Sequence, residues 1–303
     1  MFKETGNRAV LRTRITTVTP LLIRAGDTGL DPGGADLKCV RTRHGSAERT
    51  VYIPGSSLKG VVRSTAESTI RGREYRGVEG ACDPLAQETS CSARVSKTEG
   101  ASVHREHCLA CRMFGSLAMK GRASIRDLFP WSGDGAELTT DDARRIAEAN
   151  RTQVRFGVGI NRFSGGVSRG KLFDQEVVPP GTSFWGEIAL ENYQVWQLGL
   201  LAGVVEELND GFAQLGSSKS RGLGVVRMSI ESILHEQPAR TENRPMGVGH
   251  IVSAGNAREY GLLPEVDLPP ATGVRRGLFF RFTVGPDEAT GWMEAGLRAL
   301  EAL

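Results

Sequence analysis

Four cysteines and two histidines crowd one polar stretch of the chain: Cys82, Cys91, His104, His107, Cys108 and Cys111, with Cys108 and Cys111 spaced C-x-x-C. Thiolate and imidazole together suit zinc, and a closed four-ligand site can fold a segment that lacks an apolar core. The expected set is Cys82, Cys91, Cys108 and Cys111, with His104 or His107 as alternative ligands. No glutamate is placed as in H-E-x-x-H, which argues against a catalytic zinc. A lone C-x-x-C would equally serve redox chemistry, and buried cysteines need no metal. Cys39 stands apart and reads as structural.

A second group suits phosphate. In residues 52–63, an extended apolar pair runs through Pro54-Gly55 into Ser56, Ser57, Lys59 and Arg63. Leu58, Val61, Val62, Ala66, Thr69 and Ile70 recur at helical spacing, so a helix should start near Ser57. Free amides, serine hydroxyls and a lysine one turn in form an anion site, although an ordinary capped helix shows the same spacing. The order of residues is not that of a P-loop. A Gly-rich loop carries Lys219, Ser220 and Arg221. There Gly216, Gly222 and Gly224 would allow close backbone approach to a ligand. Two extended arms flank a basic tip bearing Arg155, Arg162, Phe163, Arg169 and Lys171, apt for a nucleic-acid backbone and one stacking contact. Asp27, Asp31 and Asp36 lie in a Gly-rich stretch, residues 24–50, that reads as a long irregular loop. Turn chemistry accounts for aspartates in such a place.

The elements that must position these groups follow from periodicity. Residues 9–18, 122–128, 182–190 and 225–234 read as strands, and residues 57–70 and 193–208 as helices. The order strand, helix, strand, strand, helix, strand predicts an α+β fold with a ferredoxin-like core, the layout of an RNA-recognition motif. Residues 1–235 would form this domain, with the cysteine module as insert 71–121 and a protruding hairpin at 152–180. A helix around residues 141–149 reads as a solvated surface helix. Residues 236–303 form a C-terminal extension: a linker-like start, a strand at 277–284 and an amphipathic helix at 288–303.

Composition restricts the function classes. The chain has 303 residues, with 38 Lys and Arg against 35 Asp and Glu, so a net charge of +3 does not by itself demand nucleic acid. Basic residues concentrate in Gly-rich loops, while acids lie on candidate helices. Five cysteines and no leader sequence point to a reduced, cytoplasmic setting rather than a disulfide framework. No apolar run has membrane-spanning length.

These strings resemble those of the RAMP superfamily of CRISPR-associated proteins, in particular the repeated backbone subunit of type III effector complexes. The resemblance covers about residues 9–234. It rests on Ile53-Pro54-Gly55-Ser56-Ser57-Leu58-Lys59-Gly60 with Arg63, and on Cys111-Arg112-Met113-Phe114-Gly115. It rests also on Ile160-Asn161-Arg162, on Pro180-Gly181-Thr182-Ser183-Phe184 and on Lys219-Ser220-Arg221-Gly222-Leu223-Gly224. It implies a crRNA-binding subunit in antiviral defense, stacked with copies or paralogues of itself and other effector subunits along the guide. It implies a structural Zn²⁺ insert, guide phosphates held at residues 56–59 and 219–224, and a thumb hairpin, beginning near Asn161, that displaces a base pair of the guide–target duplex. Asp36, after Gly33-Gly34-Ala35, matches an aspartate associated with target RNA cleavage. The resemblance thus implies an endoribonuclease that uses Mg²⁺ or Mn²⁺. Two alternatives remain: a non-cleaving guide-binding scaffold, and a crRNA-processing endoribonuclease. The last commonly needs a general-base histidine, and no histidine stands in an obvious pair with a lysine or tyrosine.

Overall fold

The computed structural model describes residues 4–26, 35–44, 47–95, 99–133 and 137–303, with residues 47, 48 and 169–171 described by backbone alone. Strand β1 (Arg8–Thr17) alternates strictly, burying Ala9, Leu11, Thr13, Ile15 and Thr17. A short hairpin follows, β2 (Arg41–His44) and β3 (Ala47–Val51), and then helix α1 (Gly55–Ile70). The insert holds only short elements: β4 (Glu74–Tyr75), β5 (Val78–Glu79), α2 (Cys91–Arg94), α3 (Ala101–Arg105) and α4 (Leu109–Phe114). Next come β6 (Ala123–Ile125), α5 (Thr140–Ala149), the long hairpin β7 (Gln153–Ile160) and β8 (Val167–Val177), β9 (Ser183–Glu191), α6 (Val195–Asn209) and β10 (Val226–Pro238). The tail carries α7 (Val248–Ile251), α8 (Ala254–Glu259), β11 (Gly273–Arg276), β12 (Phe279–Val284) and α9 (Pro286–Glu301).

One antiparallel sheet runs β11-β12-β10-β1-β9-β6. The four strands expected from periodicity are therefore neighbours, in the order β6-β9-β1-β10. Helix α6 is buried almost all round and shows no narrow apolar stripe, because α9, α1 and β10 all pack on it. The α6–α9 crossing is close: a Cβ on Gly199 would lie 2.1 Å from the carbonyl oxygen of Gly296. On the opposite face of the sheet, register places Arg12 and Arg14 of β1 across from Glu187 and Trp185 of β9.

Several expectations are corrected by tertiary contacts. Helix α1 begins at Gly55 rather than near Ser57, with Pro54 as N-cap and no serine side-chain cap. The cap comes from elsewhere in the chain: the Asp127 carboxylate accepts the Gly55 N–H at 2.7 Å. Only a glycine fits at 55, since a Cβ would lie 2.3 Å from the Ile125 carbonyl oxygen. The stretch 24–50, read as irregular, contains the β2–β3 hairpin and a bridge between Arg24 and Cys39. The strand expected at 122–128 is regular only over β6; beyond it, Leu128 bridges Ile53 and Phe129 bridges Trp185. Residues 236–238, read as linker, continue β10. Glu236 is buried there between Arg8 and Arg281, and β12 pairs alongside. The C-terminal residues thus extend the same sheet and helical layer.

Candidate metal centre and nucleic-acid interface

The insert brings Cys82, Cys91, Cys108 and Cys111 together, all buried, with their sulfurs within 4.8 Å of one another. Helix α4 supplies Cys111 and its N-cap Cys108, whose sulfur accepts the Cys111 N–H at 3.4 Å; this is the turn that a C-x-x-C makes. Cys108 N–H donates to the Cys91 sulfur at 3.2 Å, and Cys82 N–H to the Cys108 sulfur at 3.4 Å. Arg94 donates to Cys91 at 3.1 Å and Arg63 to Cys111 at 3.7 Å. Such donors suit sulfurs carrying negative charge, and the cluster is compatible with a tetrahedral metal site.

Neither histidine belongs to it. His104 Nδ1 donates to the Tyr260 carbonyl at 2.7 Å, while its Nε2 accepts from Arg122 at 2.9 Å. Burial, then the Arg122 charge, hold its pKa well below the usual imidazole value, so the ring is neutral. His107 Nδ1 donates to the Val103 carbonyl at 2.5 Å, and Nε2 meets Ser116 at 2.7 Å. The sequence could not exclude them because only these competing partners do.

The second constellation lies at the root of the long hairpin. Asp36 N–H donates to Asp174 Oδ1 at 2.6 Å, and Asp174 N–H donates to Asp36 Oδ2 at 3.1 Å. A parallel bridge joins the next residues, Leu37 and Gln175. Glu176 locks the arrangement by accepting from Arg41, from Thr152 and from Cys39 N–H. Burial opposes its charge, yet these donors hold its pKa at about 2. Cys39 is buried and donates through sulfur to the Glu176 carbonyl at 3.2 Å; burial and the Glu176 charge push its pKa up to about 12. Asp27 and Asp31, with Gly33 and Gly34, lie outside the described residues.

The Gly-rich loop reaches the same root. Ser218 Oγ meets Gln175 Oε1 at 3.0 Å, and the Arg221 guanidinium sits 5.2 Å from the Phe173 ring centroid. Lys219, Ser220 and Arg221 form one exposed 3₁₀ turn closed by Gly222 in the left-handed region, φ 82°. The expectation that Gly216 and Gly224 admit a ligand gives way to an internal cause. A Cβ there would strike the Leu22 and Leu215 carbonyl oxygens at 2.4 and 2.0 Å, so these glycines admit the protein's own backbone. Asp174, Phe173, Gln175 and Ser218 were missed in the sequence. They belong to the site through cross-chain pairing, which no local pattern encodes.

At the hairpin tip, Asn161 Oδ1 accepts the Phe163 N–H at 2.8 Å, and its backbone closes the turn with Gly165 and Gly166. Arg155, Arg162 and Phe163 are exposed, while the Arg169 and Lys171 side chains lie outside the described residues. At the α1 start, Ser56 is exposed and Ser57 and Lys59 are partly so. Burial, then neighbouring Arg63, lower the Lys59 pKa, and its Nζ lies 3.4 Å from the Ala123 carbonyl. Arg63, expected with the phosphate surface, also has partners within the chain. Its guanidinium is engaged by Glu67 at 2.7 Å, the Gly115 carbonyl at 3.1 Å and the Cys111 sulfur.

The chain thus presents an antiparallel sheet with a helical layer, an insert in which four cysteines cluster, and a long hairpin with exposed arginines. The chain belongs to the RAMP superfamily, whose family model matches residues 14–227. It is 25% identical over 228 residues to the "CRISPR system Cms endoribonuclease Csm3" of Methanothermobacter thermautotrophicus, covering 69% of this chain and 78% of that protein. Among solved structures it is similar to a chain of a Type IV-B CRISPR Complex, at 19% identity and a TM-score of 0.47, covering 73% of this chain and 90% of that one. Among the described residues no helix is long and apolar enough to cross a membrane.

Proposed function

We propose that this chain is a crRNA-binding backbone subunit of a type III CRISPR effector complex, built on a ferredoxin-like core, that cleaves the paired target RNA. The observation that carries the reading is the convergence at the hairpin root. Two carboxylates, Asp36 and Asp174, are tied to each other there, and the cationic turn Lys219–Arg221 reaches the same strand of a RAMP fold through Phe173 and Gln175. Asp36 Oδ1 and Asp174 Oδ2 stand outside the reciprocal bonds. Together they suit a hard divalent cation, Mg²⁺ or Mn²⁺, which takes one or two carboxylates and completes its shell with water and RNA phosphate. The metal would lower the pKa of a bound water or of the ribose 2′-hydroxyl. Asp36 and Asp174 would hold and orient that cation, and the 219–221 turn would bind guide phosphates.

The cysteine cluster fits a structural Zn²⁺, since four buried sulfurs with amide and guanidinium donors leave no open position for substrate. The tip of the hairpin, with Arg162 exposed and Phe163 fully in solvent, would act as the thumb on the guide–target duplex. Copies or paralogues of the chain and other effector subunits would line the rest of the guide. For the processing-enzyme alternative, His104, His107 and His235 are buried and hydrogen-bonded, out of reach of RNA, which leaves His44 and His250 as its candidates for a general base.

The deciding experiment is to assemble the chain with guide RNA and add matched, labelled target RNA with Mg²⁺, with Mn²⁺ or with neither. Metal-dependent cuts at regular spacing are expected. Binding without cutting would leave the scaffold reading, and cutting of a guide precursor by the chain alone would support the processing reading.

A further inference from the structure

A cavity of about 390 Å³ opens on the face of the sheet away from α6 and is lined from β1, β9, residues 126–133 and His44. Its size is that of a small-ligand site. Phe129 and Trp131 stand along one side, near-parallel to each other and, through Phe129, to Tyr52 outside the cavity, with interplanar angles of 14° and 13°, and the His44 ring lies 4.3 Å from that of Phe129. Their ring faces are largely occupied by one another, so they make a fixed wall. Trp185 is different. The Arg145 guanidinium, which lines the neighbouring cavity and not this one, lies 5.1 Å from its ring, and Trp185 Nε1 donates to Glu231 at 3.2 Å. The indole is thus held in place with a face toward the first cavity.

The charges narrow the ligand. Glu187 is bound by Arg12 and Arg126, and Glu231 by Arg14 and Trp185, so neither is left to attract a cation. Each arginine presents five N–H donors, more than these bonds use. His44 Nδ1 is enclosed and has no hydrogen-bond partner among the described residues. A planar, neutral ring with polar edges, attached to an anion, matches this lining better than a basic side chain does. Asp127 also lines the cavity and is the residue that caps α1, so the cavity adjoins the Ser56–Lys59 surface.

The geometry points to a binding pocket for a single unstacked RNA base, seated on Trp185 beside the Phe129–Trp131 wall, with its phosphate toward Arg12 and Arg126. The pocket deepens the proposed RNA-binding function and rests on it. It is separate from the hairpin root and the thumb tip.

The test uses the full chain and single-stranded guide RNA carrying 5-iodouridine at one position at a time. Irradiation followed by digestion and mass spectrometry should find adducts on Trp185, Phe129 or Trp131 at particular guide positions. Trp185→Leu should weaken RNA binding about tenfold, as loss of one stacked base does. It should leave the salt slope unchanged, because no phosphate contact is removed. Trp185→Phe should restore most of the affinity. Thermal unfolding of each variant reports on folding, and the crosslink in the unmodified protein stands even if a variant unfolds. RNA bound by the wild type without adducts at these residues, and with Trp185→Leu binding normally, would overturn the pocket alone. Failure of the wild type to bind RNA would overturn both the pocket and the function on which it rests.

Discussion

Asp36 and Asp174, far apart in the chain, each accept a hydrogen bond from the other's backbone N–H, at 3.1 and 2.6 Å. The pairing ties the two residues together at the root of the hairpin. In the proposed cleavage site Asp174 would be the second carboxylate ligand, one that the sequence did not reveal.

Asp36→Asn and Asp174→Asn should each abolish metal-dependent target cleavage while guide and target affinity stay within about twofold. The amide oxygen can still accept the reciprocal bond, but the charge that a hard metal requires is gone. Cleavage and filter-binding assays on the assembled complex separate the two effects. Wild-type cutting rates in Asp36→Asn would remove this residue from the catalytic site.

The cysteine cluster should bind about one zinc per chain. Cys108→Ser with Cys111→Ser should lose the metal and unfold the insert, because its elements are too short to fold on their own core. His104→Ala and His107→Ala should keep the metal, since both rings are committed elsewhere. Elemental analysis with circular dichroism checks both outcomes.

Arg221→Ala and Lys219→Ala should weaken RNA binding for every sequence. Each should reduce the slope of log affinity against log salt by about 0.7 if it removes one phosphate contact. Arg63→Ala should leave that slope alone and instead loosen the insert, because Arg63 spans Glu67, Gly115 and Cys111. An altered slope in Arg63→Ala would return this residue to the RNA surface.

Glu176 makes the hairpin root pH-sensitive. Its folded pKa, about 2, lies below the ordinary value of 4.5. Its stabilising contribution is therefore complete above about pH 4.5 and disappears as the pH falls toward 2. Glu176→Gln should cost about 1.5–3 kcal/mol at neutral pH, as lost hydrogen bonds to a charged group do. The gap from wild type should close with acidification in urea unfolding at pH 6 and pH 3. An equal gap at both pH values would show that the carboxylate charge is not what holds Arg41 and Thr152.

What the sequence determined by itself was local. Alternation in β1 and β9, the helical period of α1 and the spacing of Cys108 and Cys111 each arise within one segment, so one segment's pattern suffices to read them. The motif strings likewise carried the family, because they are contiguous. The tertiary structure decided everything that depends on a distant partner. Asp127, not a serine, caps α1, since the close approach of Ile125 and Arg126 to Gly55 brings its carboxylate there. Strand β10 continues through buried Glu236 because β12 pairs beside it and Arg8 and Arg281 neutralise the charge. His104 and His107 leave the metal set because carbonyls and Arg122 claim their nitrogens first. Asp174 joins Asp36 only when the hairpin folds back on residues 35–39. Hydrogen bonds, ion pairs and close packing between segments remote in sequence have no local period, and for that reason they become legible only in three dimensions.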